Sequence, residues 1–189
     1  NMKKLFTILT VVALSTTISF AQAQFGATAG LNMSNVSGDD MDVDMKMGMH
    51  VGVSASFELS DAMTLKTGAL YSIKGAQTDF GDEILKFNLS YIEIPANLSF
   101  AVSDQMSLMA GPYIGLLMAA TMTIDGESED LDDVAGMDFG INIGAGFSVS
   151  ETISINAGYQ MGLTSIDEDG DGDAKNSNIH IGMTYSFGG

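Results

Sequence analysis

The stretch MGMHVGVSASFELSDAMTLKTGALYSIKG, residues 47–75, decides the architecture. Met47, Met49, Val51, Val53, Ala55 and Phe57 alternate with Gly48, His50, Gly52, Ser54, Ser56 and Glu58. Ser60-Asp61-Ala62 supplies a tight turn. Met63, Leu65, Ala69, Tyr71 and Ile73 then alternate with Thr64, Lys66, Gly68, Ser72 and Lys74. Side chains of a strand point to opposite faces with period two, so the stretch reads as a β-hairpin with one apolar and one polar face.

Alternation alone does not say which face is inside. A soluble barrel carries Lys, Glu and Arg on its outer wall and large apolar groups within. A membrane barrel reverses this, with apolar residues toward lipid and small polar residues in the lumen. The polar face here is mostly Gly, Ser, Thr and Asn, which fits the membrane arrangement. A lipocalin-like soluble barrel is the alternative that it disfavours.

Composition agrees. The 189 residues suffice for one domain. A formal net charge of −17 opposes binding to nucleic acid or to an anionic membrane surface. Cysteine is absent, which excludes a disulfide framework, a thiolate metal site and a lipoprotein anchor. Hydrophobic residues make up 46%, yet beyond the first segment no run is long enough for a spanning helix. Met2-Lys3-Lys4, the apolar segment from Leu5 to Phe20 and Ala21-Gln22-Ala23 read as a secretory signal peptide. The expected division is a signal peptide over 1–23 and a barrel domain over 24–189.

The same alternation recurs along the chain. Strands are predicted over 25–34, over both halves of the opening hairpin, and over 87–101, 106–118, 137–149, 152–163 and 178–187. In the fourth, Ile92, Ile94, Ala96, Leu98 and Phe100 share a face while Phe87 and Leu89 take the other parity. A bulge near Ser90-Tyr91 would return them to the apolar face, and Pro95 fits a bulge or a locally open pairing. Eight strands are joined alternately by short turns and by long loops near 39–44, 79–83, 125–133 and 167–173, which hold most of the 24 acidic residues. The expected fold is an eight-stranded antiparallel up-and-down transmembrane β-barrel in the outer membrane, its acidic loops extracellular and both termini periplasmic. Aromatics then sort into a periplasmic girdle (Phe25, Phe57, Phe100, Phe147, Tyr185, Phe187) and an outer one (Tyr71, Phe87, Phe139).

Five short motifs resemble the PorT-like outer-membrane β-barrel family, and they fall in family order along the mature chain. Phe25-Gly26-Ala27-Thr28-Ala29-Gly30-Leu31-Asn32-Met33-Ser34 resembles its opening strand. Tyr71-Ser72-Ile73-Lys74-Gly75 is similar to its YSxKG strand end, Tyr91-Ile92-Glu93-Ile94-Pro95 to its YxEIP strand, and Ala110-Gly111-Pro112-Tyr113-Ile114-Gly115 to its AGPxxG strand. Asp138-Phe139-Gly140 with Gly144-Ala145-Gly146 matches its sixth strand. The resemblance implies a small outer-membrane barrel without fixing its role; a link to secretion does not carry over from the fold. The chain departs from many such barrels in that Phe187 is followed by Gly188-Gly189 instead of ending the chain.

Function is less legible. The first expectation is a non-enzymatic integral barrel, structural or surface-interacting through its loops. A narrow channel is the alternative, although side chains can fill an eight-stranded lumen. An outer-leaflet hydrolase built from Ser34, His50, His180 and Asp138 is a further reading. The two histidines fall on the second and last strands, which flank the first, so their backbones should be roughly 10 Å apart. Lumen histidines bonded to their neighbours are the favoured alternative. Glu58, Lys66, Lys74 and Glu93 also face inward by parity, and Glu93 is expected to pair with Lys66 or Lys74 in preference to forming a selectivity ring. Asp167, Asp169, Asp171 and Asp173 lie in a D-x-D-x-D-G run that resembles a calcium loop without its terminal Glu or flanking helices. A solvated acidic loop is favoured there, with weak calcium binding at most and no other cofactor. The expected partners are outer-membrane lipids, lipopolysaccharide and, during biogenesis, the barrel-assembly machinery. No nucleic acid is expected, and the state is monomeric.

Overall fold

The computed structural model describes residues 23–38, 43–79, 84–124, 126–131, 133–167 and 174–187. The predicted signal segment lies outside these residues except for Ala23, which opens the first strand. The strands are β1 (Ala23–Ser37), β2 (Asp44–Ser60), β3 (Met63–Asp79), β4 (Ile84–Ala101), β5 (Met106–Ile124), β6 (Glu127–Asp130), β7 (Met137–Ser148), β8 (Ile153–Gly162) and β9 (Lys175–Ser186). From β1 to β5 and from β7 to β9 each strand pairs antiparallel with the next, β5 pairs with β7, and β9 returns to β1. Eight strands thus close a ring. β6 stands outside it, paired with the far end of β5.

The ring is inside out, as the alternation requires. Val53 is 59% and Met47 66% exposed on the outer wall, while Asn32, Ser34, Ser72 and Lys74 are buried in the lumen. The short connections, the start of β1 and the end of β9 gather at one end of the barrel, here the turn end. The long connections gather at the other, the loop end.

The strands run further than expected at the loop end: β3 to Asp79, β5 to Ile124, and β9 back to Lys175. The irregularity near Ser90-Tyr91 is present, but the extra residue sits on β5. Ser90 pairs with Ala119 and Tyr91 with Leu117, so Met118 is passed over. Leu89 therefore stays on the same side as Tyr91, 2% exposed, in a cluster with Ala120 and the partly buried Leu117, Leu131, Val134 and Ile166. Phe87 is half-buried and leaves the outer girdle to the exposed Tyr71 and Phe139. The expectation that both residues return to the apolar wall is corrected. At this height the loops fold over the lumen, so an apolar side chain gains more by turning inward. A neighbouring cluster of Val36, Ala76 and Ala174, packed against Val43 and Ile166, extends this cap.

Pro95 behaves as expected. The β3–β4 ladder passes from the Thr67–Ala96 pair to the Leu70–Glu93 pair, and Thr67 Oγ1 donates to the Pro95 carbonyl at 2.7 Å. The third long loop holds an unforeseen hairpin: Ile124 pairs with Glu127, and Gly126 takes φ +87°. An Asp-Gly pair in sequence at 125–126 is a strong hairpin signal.

The two wall positions in mid-β2 give a direct test. Val53→Arg should destabilise the barrel refolded in a bilayer by ~2–4 kcal/mol, measured by reversible denaturant unfolding. Ser54→Arg, facing the lumen, should respond to packing and not to bilayer thickness. Equal tolerance of Val53→Arg in lipid would contradict the outward assignment.

Candidate functional site

The lumen divides into three tiers. Beneath the apolar cap lies a charged plug. Lys74 of β3 forms an ion pair with Glu93 of β4, and its ammonium lies 4.0 Å from Asp138 Oδ2 of β7. All three side chains are almost fully buried. The same ammonium lies 4.6 Å from the centre of the Tyr113 ring and 5.9 Å from that of Tyr91, within cation–π range. Tyr113 donates its hydroxyl to Asp138 Oδ2 at 3.1 Å. Asn176 Nδ2 donates to the same oxygen at 3.0 Å and to the Tyr91 hydroxyl oxygen at 3.2 Å. Four strands thus meet on one cation, and Asn176 of β9 braces two of its neighbours.

Local backbone supports this tier. Gly75 follows Lys74 with φ +134°, a conformation that L side chains rarely adopt, and any Cβ there would strike the Phe87 carbonyl. Its carbonyl accepts from Ser34 Oγ at 3.0 Å. Asn32 is a second hub: its Nδ2 donates to Ser72 Oγ (3.0 Å) and to the Ile73 carbonyl (3.1 Å), while its Oδ1 accepts from Asn178 Nδ2 (3.2 Å) and faces His50 Nδ1 (3.0 Å).

The third tier is a cavity of about 730 Å³. At the turn end it is rimmed by Ala23, Glu151 and Phe187. Toward the plug it reaches Asn32, His50, Glu93, Gln160 and His180. Lys74, Tyr91, Tyr113 and Asp138 are absent from its lining, so it ends beneath the plug. Glu58 and Lys66 line it, as their parity predicts. The expected Glu93 pair is made with Lys74.

The four residues of the hydrolase reading do not assemble. His50 and His180 do meet, edge to face, with ring centres 6.0 Å apart. Ser34, however, directs its hydroxyl at the Gly75 carbonyl, and Asp138 is committed to Lys74, Tyr113 and Asn176. Among the described residues, the hydrogen bonds of Ser34 and Asp138 go to partners other than the histidines. Of the calcium-loop residues, Asp169, Asp171 and Asp173 lie outside the described residues. Asp167 is described and exposed, its backbone bridging to Val134. Sequence reasoning missed the roles of Tyr91, Tyr113, Asn32 and Asn176. The first three have inward parity, which was available; Asn176 lay ahead of the predicted start of the last strand.

A family model described as an outer membrane protein beta-barrel domain matches residues 20–168. It stops short of β9, which closes the ring. No curated protein sequence matches the chain. Among solved structures, Neisserial surface protein A is similar at 16% identity with a TM-score of 0.64, covering 87% of this chain and 99% of that one. Ail, the attachment invasion locus protein of Yersinia pestis, is similar at 19% identity with a TM-score of 0.52, covering 88% and 99%. Ail solved in complex with the heparin analogue sucrose octasulfate gives 18% identity, a TM-score of 0.51 and coverage of 88% and 99%. At these identities the likeness is one of fold.

The plug makes a quantitative prediction. Lys74→Met leaves two buried carboxylates without their cation and should cost ~3–5 kcal/mol, read from denaturant unfolding of the lipid-refolded barrel. Adding Glu93→Gln should recover part of that loss, so the double-mutant cycle should show strong coupling between the two sites.

Proposed function

The chain belongs to the outer membrane protein beta-barrel domain family, and from that premise we propose that it is a non-conducting, non-enzymatic barrel that displays acidic loops at the cell surface. The observation that carries this reading is the plug: Lys74, Glu93, Asp138, Tyr91 and Tyr113 fill the lumen beneath an apolar cap. A barrel blocked in this way anchors its loops and does not pass solutes. The five resembling motifs support placement in the PorT-like branch, and their inward residues, Asn32, Ser72, Lys74, Tyr91, Glu93, Tyr113 and Asp138, fall within the two hubs of the lumen. In this reading the loop end is extracellular, both termini are periplasmic, the apolar wall contacts lipid and lipopolysaccharide, and the barrel works as a monomer delivered by the barrel-assembly machinery.

The loops favour a cationic partner. Sucrose octasulfate, bound by Ail, is a polyanion; a chain of net charge −17 with its acids crowded at one end would repel such a ligand. The surface role suggested by Ail's name therefore carries over here with the opposite charge preference.

Two measurements test the reading together. Cysteines at Ser37 and Ser128 should react with impermeant reagents on whole cells, whereas one at Asp104 should not. The purified barrel in planar bilayers should show no stable channel openings. Labelling at Asp104 alone would reverse the orientation, and steady conductance would replace the anchor with a pore.

Acid crowding also favours divalent cations. Calcium at millimolar concentration should bind the 167–173 loop weakly and protect it from proteolysis, and Asp169→Asn with Asp171→Asn should weaken the effect. Calorimetry on the detergent-solubilised protein is the check. Absence of heat above the buffer control would leave the loop as solvated charge.

A further inference from the structure

The plug leaves one lumen cation over. Glu93 pairs with Lys74, and among the described residues no carboxylate forms an ion pair with Lys66 of β3. Lys66 is half-buried and lines the cavity below the plug. An ammonium drawn out of water without a counter-charge costs free energy that nothing in the wall returns.

Its neighbours around the ring are also left unsatisfied. Cross-strand pairing sets Ser56 of β2 and Asn97 of β4 on either side of Lys66. Beyond Asn97 comes Gly111 of β5, where a Cβ would lie 2.8 Å from the Asn97 Cα. Gly111 pairs with Asn142 of β7, and Asn142 with Gln160 of β8. Gly111 therefore puts no side chain between two carboxamides. Asn97 is 6% and Asn142 3% exposed, and both line the cavity. The side-chain oxygen of each accepts no hydrogen bond among the described residues. Gln160 differs, because its Oε1 accepts from Asn178 Nδ2 at 2.9 Å. Buried polar groups are as a rule partnered, and each exception needs a reason. A half-turn of a carboxamide exchanges its donor and its acceptor, so either can be presented to a ligand.

We propose that Lys66, Asn97 and Asn142 form a binding site for a small hydroxylated carboxylate, a sugar acid of one or two rings, entering from the turn end. The carboxylate takes Lys66 as its counter-ion in a charge-assisted bond. Hydroxyl groups, each a donor and an acceptor, satisfy the two carboxamides. The cavity of about 730 Å³ falls within the roughly 300–1,000 Å³ usual for small-molecule sites. Three strand spacings of ~4.8 Å separate Lys66 from Asn142 around the ring, a span for an extended molecule and not for a single ion. The carboxylates of the cavity stand apart from this row. Glu93 lies four residues along β4 from Asn97, roughly 13 Å toward the loop end, and is already paired. Glu58 and Glu151 are exposed at the rim, where solvent and salt screen them. The inference does not depend on which way the barrel faces.

The test uses the full chain folded in detergent, with glucuronate as the probe and glucose as its uncharged control. Titration with glucuronate should move the side-chain amide resonances of Asn97 and Asn142. Glucose should bind about tenfold more weakly, the worth of one hydrogen bond to a charged group. Lys66→Gln should erase that preference and leave the stability of the empty barrel undiminished, because Lys66 holds no ion-pair partner in the fold. Equal binding of the two sugars, or a preference for glucuronate that survives Lys66→Gln, would overturn the site. So would amide resonances that stay in place under excess glucuronate. A Lys66→Gln barrel that unfolds more readily, or does not fold, would give the lysine a structural partner and overturn it equally.

Discussion

The structure hangs on the burial of one lysine. A charged ammonium taken out of water costs several kcal/mol after relaxation, and its partners must return that cost with close geometry. Lys74 meets the condition through one tight carboxylate, a second at 4.0 Å, and the face of the Tyr113 ring at 4.6 Å. These groups come from β3, β4, β5 and β7, and Asn176 of β9 secures Asp138. No hairpin could satisfy Lys74 alone. The pairing therefore fixes the register of the ring from within, while the wall outside can tolerate exchange of one apolar residue for another.

From that constraint the three tiers follow. The plug needs a dry ceiling, and Leu89, Ala120, Val36 and Ala76 supply it by turning inward. Below the plug the wall carries mostly glycine and small polar residues, so space remains. An eight-stranded ring is just wide enough for side chains to fill its middle. Here they fill the loop-end half and leave the turn-end half hollow.

Most of the ring was legible in the sequence because lipid imposes a strict rule. Each outward position must be apolar, so residues such as Val51, Val53, Ile141 and Ile143 mark the period without ambiguity. The rule lapses beyond the lipid, and there the reading failed. Leu89 and Phe87 looked misplaced because an apolar side chain was assumed to seek the wall. The extra residue that reconciles them sits on β5 at Met118, and a bulge leaves little trace in the sequence of the strand it bends. The β6 hairpin was missed because its acids, Glu127, Glu129 and Asp130, look like a solvated loop, although the Asp-Gly pair beside them signals a turn.

The candidate site divides along the same line. Parity placed Glu93, Lys74, His50, His180 and Asp138 inside, and that was sound. Parity cannot place side chains around the ring, so it could not tell that Asp138 sides with Lys74 while the two histidine rings meet edge to face. Ser34 shows the difference most plainly. It shares the lumen and the approximate height of the histidines, yet its hydroxyl is spent on the Gly75 carbonyl. That bond holds β1 against the residue whose φ of +134° lets β3 present Lys74. A serine that looks like a nucleophile by position thus serves the plug by geometry. The motif glycine, the motif lysine and the opening-strand serine act as one device for keeping a charge inside a barrel.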